Sequence, residues 1–234
     1  MAGMNYAIVV AGGRSERMGA KVDKAFVSLG PRPVLAYSLM AFEECADIDG
    51  VILVTRKERV GAGRSVAEMF GCSKVKDVVA GGPMRQVSVQ NGMDVLPEGV
   101  KIVSVHDAAR PCVTPELITQ TINSAKRNGS GVAAVRIADT VKHVERGLTV
   151  TRTVDRAKLW AVQTPQTFKL SLLKRAFERV EEENATVTDE SSAVELTSQK
   201  VRLVQASVTN IKISTPDDLA MATTLLNLHR NFVP

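Results

Sequence analysis

The chain has 234 residues, 44% hydrophobic and 24% charged, with 30 Lys plus Arg against 25 Asp plus Glu and a formal net charge of +5. That balance excludes a disordered chain, and the length suffices to bury a core without disulfide or metal support. The cationic excess is either the footprint of an anionic ligand or a solubility feature.

Further function classes fall away on simple counts. Cys45, Cys72 and Cys112 form no Cys-x-x-Cys motif, and an odd, sparse set suits a reducing cytosol. His106, His143 and His229 are scattered, which argues against a protein-built zinc site. No apolar run approaches the ~20 residues of a membrane span. The N-terminus leads into an apolar strand without a basic targeting region. Aromatic residues make up only 4%, too few to suggest a stacking platform for single-stranded nucleic acid. The expectation is a cytoplasmic protein with neither a membrane nor a nucleic acid as partner.

In chain order, the run Tyr6–Val10 predicts a strand buried on both faces, followed by Gly12-Gly13. Residues 33–45 place Leu35, Leu39 and Phe42 at helical spacing. Val51–Val54 is a second strand, and residues 64–70 are helical, with Gly61 and Gly63 blurring the start. Val75 and Val78-Val79 mark a third strand ending at Gly81-Gly82, before a helix over 84–95. Ile102–His106 is a fourth strand with Asp107 at its C-terminal end. Thr114-Pro115-Glu116 opens a helix with an N-cap, a first-turn proline and an acid at the positive end. Gly131–Val135 is a fifth strand. Thr215-Pro216-Asp217-Asp218 repeats the cap signature before a last helix whose Leu219, Ala222 and Leu226 face one way.

This order predicts an α/β fold: a doubly wound, mostly parallel sheet, with ligands outside the carboxyl ends of the strands. The loops 12–24, 81–88 and 107–111 should therefore meet. Residues 139–156 break the pattern: Thr149–Val154 alternates with period two, and Glu145-Arg146-Gly147 supplies a turn. The simplest organisation is one domain, residues 1–234, with an inserted β-arm over 139–156. An isolated ribbon is marginal in water and its edges invite pairing. The arm either packs on a second subunit or folds back on its own domain.

Four clusters offer chemistry. The first loop, Ala11-Gly12-Gly13 through Arg17 to Lys24, matches neither dinucleotide nor P-loop patterns. Its glycines still let backbone N–H groups approach an anion, or they form a plain surface turn. In the second, Asp107 at a strand end can hold Mg²⁺ through oxygen, and Arg110 can fork onto a phosphate. The alternative is a structural Asp107–Arg110 pair, with His106 packing rather than reacting. The third joins Thr153–Arg156 to Trp160 and Gln163–Phe168, with Trp160 read as a packing anchor. In the fourth, Lys212 between Ile211 and Ile213 on a short strand should point away from them.

Taken in order, these motifs resemble the cytidylyltransferases of the methylerythritol phosphate (non-mevalonate) isoprenoid pathway. The matching residues are Arg17-Met18 and Lys24, Gly81-Gly82 with Arg85 and Ser88, and His106–Pro111. They continue with Asp139-Thr140, Thr153–Arg156, Leu159-Trp160, Thr164-Pro165-Gln166, Thr188-Asp189-Glu190, and Asn210–Lys212 followed by Pro216, Asp218 and Leu219. The resemblance implies a Rossmann-like nucleotidyltransferase fold. It also implies transfer of the cytidylyl group of CTP to 2-C-methyl-D-erythritol 4-phosphate, with Mg²⁺ or another divalent cation and an arm-exchanging homodimer. By the same resemblance, Arg17, Lys24 and Lys212 are the catalytic cations. Ala11, Gly12, Gly13, Gly82, Ser88 and Asp107 bind the nucleotide. Asp107, Arg110, Thr140, Arg156, Thr164 and Lys212 bind the second substrate, Thr140 from the partner, and Asp107 is the metal residue. The six cations Arg17, Lys24, Arg85, Arg110, Arg156 and Lys212 would then account for the net charge.

The chain departs from the family pattern at Ser15, Ala25 and Pro83. Pro83 offers no side-chain acceptor to a base. Two alternative functions share the motifs: a ribitol 5-phosphate cytidylyltransferase, and a nucleotide-binding module without chemistry. Thr153–Arg156 and Ala109 favour the methylerythritol phosphate reading over the ribitol one.

Overall fold

The computed structural model describes residues 3–13 and 23–232. β1 (Met4–Val10) is followed by two short strands paired with each other, β2 (Ser28–Leu29) and β3 (Arg32–Pro33). Next come α1 (Val34–Glu44), β4 (Gly50–Thr55), α2 (Val60–Met69), β5 (Val75–Ala80) and α3 (Arg85–Asp94). The chain continues through β6 (Val100–Asp107), α4 (Pro115–Asn128) and β7 (Ser130–Arg136). A ribbon of β8 (Val141–Val144) and β9 (Val150–Val154) precedes β10 (Trp160–Lys169), α5 (Leu170–Glu182), α6 (Glu190–Glu195), β11 (Leu203–Gln205) and α7 (Pro216–Phe232).

The central sheet has seven strands in the order β11-β7-β10-β6-β1-β4-β5. β1 runs parallel to β4 and β6, β4 to β5, and β7 to β11. β10 alone is antiparallel to its neighbours, β6 and β7. Strand side chains alternate between two apolar layers, as the two-residue period requires. Ala7, Val9, Val51 and Leu53 pack with Leu35, Leu39 and Phe42 of α1 and with Ile118 and Ile122 of α4. Tyr6, Ile8, Ile52 and Val54 pack with Val89 of α3 and with Leu173 and Phe177 of α5. Each large side chain buried this way contributes about 1.5–3 kcal/mol, which explains why unbroken apolar runs specify these central strands. A third cluster ties Leu29, Val34, Cys112 and Ile213 to Ala222 of α7.

The Thr114 side chain accepts from Leu117 N, and α4 ends at Gly129 with φ 87°. α2 begins at Val60, earlier than the sequence reading, and runs through both glycines. Gly63 faces the sheet, where an added Cβ would lie 3.1 Å from Leu53 Cδ2. Close packing thus offsets the ~1 kcal/mol helix cost of glycine. The expected short strand at Asn210–Ile213 is absent: residues 211–214 pair with no strand. Ile213 N bonds across to Ala109 O at 2.8 Å. Ile213 is nevertheless fully buried, and Lys212 points the other way, towards the site.

The ribbon stands clear of its own domain. Of residues 139–158, only Val141 and Val154 are half-buried and the rest are exposed. The fold-back arrangement is therefore not the one adopted.

Candidate functional site

The C-terminal ends of β1, β4, β5 and β6 open on one cleft of about 580 Å³. The turn at Ala11–Gly13, the Gly81–Arg85 loop and Asp107–Ala109 line it, so the three loops expected to meet do so over the described residues. Lys24 enters from a short turn over Lys24–Phe26, and Lys212 enters from the segment leading to α7. Arg17 lies outside the described residues.

Asp107 is the centre of the site. Its carboxylate accepts from Arg85 Nε at 3.1 Å and from Lys212 Nζ at 2.6 Å. Burial alone would push this carboxyl up, but Arg85 and Lys212 outweigh it and hold it well below the usual carboxylate range. The group is an anion wherever the protein is folded near neutrality.

Arg85 donates on its other side to Glu190, Nη1 to Oε1 at 2.6 Å and Nη2 to Oε2 at 3.1 Å. Burial lowers the Arg85 guanidinium, but Glu190 and Asp107 more than reverse this and raise it overall. Burial raises Glu190, with Arg85 acting against it. Both Glu190 oxygens face N–H donors, a geometry that only the ionised carboxylate satisfies. Arg85 therefore lines the cleft with its charge already paired.

His106 is fully buried, and desolvation pushes its ring down to about 3. The neutral ring donates through Nε2 to Arg110 O at 3.3 Å and accepts at Nδ1 from Thr164 Oγ1 at 3.1 Å. Thr164 Oγ1 in turn accepts from Asp107 N at 3.0 Å. His106 is a packing and bridging group, and the Thr164 hydroxyl shapes the end of β6. Ser88 acts similarly: Oγ accepts from Gly82 N and donates to Met84 O, each at 3.1 Å.

Arg110 is not paired with Asp107 as a turn-shaping ion pair. Nη1 donates to Asn210 O at 2.8 Å, while Nε is buried without a partner. Among the described residues Arg110 forms no ion pair, and burial lowers its guanidinium. Thr140 and Arg156 are exposed at the ends of the ribbon, away from the cleft lining. Trp160 is half-buried under Arg136, whose guanidinium lies 4.6 Å from the ring centroid.

Comparison with known proteins decides the family. The family model described as IspD, 2-C-methyl-D-erythritol 4-phosphate cytidylyltransferase, matches residues 5–228. The chain belongs to this family. A cytidylyltransferase of that name from Alkaliphilus metalliredigens is 39% identical over 225 residues, covering 96% of this chain and 93% of that protein. One from Caldanaerobacter subterraneus is 40% identical over 217 residues, covering 92% and 96%. The crystal structure of 4-diphosphocytidyl-2C-methyl-D-erythritol synthase from Anaerococcus prevotii superposes with a TM-score of 0.84 at 29% identity, covering 97% of both chains. The enzyme of Francisella tularensis gives 0.79 at 31% identity, covering 95% and 99%.

The fold thus gathers Ala11, Gly12, Gly13, Lys24, Gly82, Ser88, Asp107 and Lys212 around one cleft of this cytidylyltransferase. Thr164 and Arg110 lie behind it, and Thr140 and Arg156 lie out on the arm. Arg56, absent from the motifs above, is a half-buried cation lining the cleft whose Nη2 donates to Gly13 O at 3.3 Å. Its position two residues past the carboxyl end of the predicted strand Val51–Val54 is the signal that marks it. Glu190 stood within a matched motif, but nothing in its spacing reveals that it reaches Arg85.

Proposed function

We propose that this chain joins CTP and 2-C-methyl-D-erythritol 4-phosphate to form 4-diphosphocytidyl-2-C-methyl-D-erythritol and pyrophosphate. Membership of the family supports the reaction. The observation that carries the site assignment is the Lys212 ammonium, 2.6 Å from Asp107 and facing the glycine turns across the cleft. A phosphate oxygen of the sugar-alcohol phosphate attacks the α-phosphorus of CTP, and the bond to the β-phosphate oxygen breaks in line. Two anions must meet while negative charge builds at phosphorus. Placed cations are therefore the natural catalysts, and no covalent nucleophile is required.

In this reading Lys24, with Arg17, holds the triphosphate and the leaving pyrophosphate, and Lys212 lies beside the α-phosphate. Backbone at Ala11–Gly13 and Gly82, in a loop shaped by Ser88, receives the nucleoside. Arg110, with no carboxylate partner among the described residues, is suited to the methylerythritol phosphate group, with Thr164 beside it. Thr140 and Arg156 would reach that substrate from the arm of a second copy in a homodimer. Three unpaired, buried thiols support a reducing, cytoplasmic setting.

Mg²⁺ fits the donor chemistry. No group of three or more His, Cys, Asp or Glu side chains could hold a metal among the described residues, but Asp107 offers a carboxylate in the cleft. Mg²⁺ keeps several waters and binds through one or two carboxylates plus substrate phosphates. When bound, it would neutralise phosphate charge. Asp107 would supply its protein oxygen.

A pyrophosphate-release assay tests the reaction with purified protein, each nucleoside triphosphate in turn, and methylerythritol phosphate or ribitol 5-phosphate. Turnover is expected with CTP and methylerythritol phosphate. Turnover confined to ribitol 5-phosphate overturns the assignment. Turnover with neither acceptor leaves a nucleotide-binding module as the better reading.

A further inference from the structure

We infer that Glu190 is a positioning residue for this reaction, acting through Arg85 to fix the Asp107–Lys212 pair; the inference rests on the reaction proposed above. Glu190 is 1% exposed and does not line the cleft, so it does not touch substrate from its present position. It begins α6, and the two-bond fork to Arg85 sets the plane of the guanidinium. With both terminal nitrogens engaged, Arg85 presents Nε to Asp107 Oδ1 at 3.1 Å. Asp107 then offers Oδ2 to Lys212 at 2.6 Å. Burial of Ile213 turns the Lys212 side chain towards the cleft, and Asp107 is the one hydrogen-bond partner of Nζ among the described residues, so this chain of contacts fixes where the ammonium sits.

The far end of the chain is equally well anchored. Asp189 caps α6 by accepting from Ser192 N, and also accepts from Gln166 Nε2, both at 2.9 Å. Gln166 Oε1 accepts from Ser191 N at 2.9 Å. Gln166 sits on β10 opposite Val105 of β6, two residues before Asp107. α6 and the end of β6 are therefore locked in one frame, and Glu190 transmits that frame to the cations. A buried ion pair is weak as a stabilising device compared with apolar packing. A set of alternating charges ending on a cleft lysine instead suits a positioning role.

In Glu190→Gln, one Arg85 N–H faces an amide NH₂. The guanidinium turns, and Asp107 and Lys212 lose their fixed geometry. The nucleoside-binding turns and Lys24 are untouched. We expect kcat to fall at least ~10-fold while KM for CTP changes less than ~3-fold, as for misplacement of a reacting contact. Arg85→Lys, which keeps the charge but not the fork, should show the same split. Combining the two should be no worse than the poorer single variant, since both break one chain. Thr114→Ala removes the α4 cap and none of the bonds of this chain, and should lower Tm with kcat unchanged.

An active wild type matched in kcat by Glu190→Gln sinks the role while leaving the reaction intact. If Glu190→Gln fails to fold, Arg85→Lys decides: wild-type kcat there is equally fatal. Loss of kcat in Thr114→Ala in proportion to its loss of Tm, matching the loss in Glu190→Gln, would reduce Glu190 to a structural residue. A wild type silent with both substrates sinks the reaction and this role together.

Discussion

Asp107, Lys24 and Lys212 illustrate what position along a strand can reveal about a side chain. Asp107 was readable because it ends a buried apolar run, and the end of a central parallel strand opens on the ligand cleft. Lys212 was readable from the isoleucines beside it, although they lie on an unpaired segment rather than a strand. Glu190 was not readable as a partner of Arg85, because the contact spans 105 residues. Lys24→Ala and Lys212→Ala should each cut turnover at least ~100-fold, the loss expected for a transition-state contact. Steady-state kcat with both substrates checks this, and wild-type kcat in both variants would remove the mechanism assigned to them. Arg110→Lys should raise KM for the sugar-alcohol phosphate about 10-fold, by losing forked recognition, with KM for CTP little changed.

Elements were legible where one face alone decides them. The α4 cap and the α1 stripe follow local rules, and Thr114→Ala should cost ~1 kcal/mol. In a domain of this size that lowers Tm by about 2–4 °C in a thermal melt. β10 follows no local rule. Pro165 demotes any strand reading, yet the pairing with β7 is irregular between Val162 and Gln166, so the proline falls where no ladder bond is needed. β10, α5, α6 and β11 all fall between Trp160 and Gln205, where no element is expected from sequence. Gly131 lies on β7, where an added Cβ would run into Thr121 O of α4. Backbone cannot yield as a side chain can, so Gly131→Ala should destabilise by about 1–3 kcal/mol or more, readable in denaturant unfolding.

At the scale of the whole molecule, the ribbon and the buried thiols make separate predictions. Val144 and Val150 are 44% and 52% exposed. In a lone protomer, replacing both with Asp would be nearly neutral, within about 0.5 kcal/mol each. If the arm seats on a second copy, the double variant becomes monomeric and loses activity, because Thr140 and Arg156 no longer reach the partner's cleft. Solution mass and turnover measured together decide this, and a fully active wild-type monomer removes the arm from the site. Burial raises the Cys72 and Cys112 thiols from 9.0 to about 11, with Glu43 and Glu44 adding to the effect at Cys72. Above pH 9 the unfolded chain ionises these thiols while the folded protein holds them protonated. Stability is therefore intact below pH 9 and declines as pH rises towards 11. Tm scanned over that range should fall, and a Cys112→Ala variant should fall less steeply.

The sequence by itself determined the layered α/β order, the ends of the parallel strands and the cations gathered near them, because two-residue and helical periods are local properties of the chain. It also supplied the ordered motifs of the family. The tertiary structure decided which charges oppose one another. Asp107 faces Arg85 and Lys212 rather than Arg110, Arg56 joins the cleft, and Arg110 is left with a buried, unpartnered nitrogen. Charge pairing depends on distance in space, and the sheet order that sets those distances places β10 between strands far from it in sequence. The net charge of +5 is thus an incomplete guide to the cleft, where the charge of Arg85 is matched by Glu190 and Asp107, and that of Lys212 is shared with Asp107.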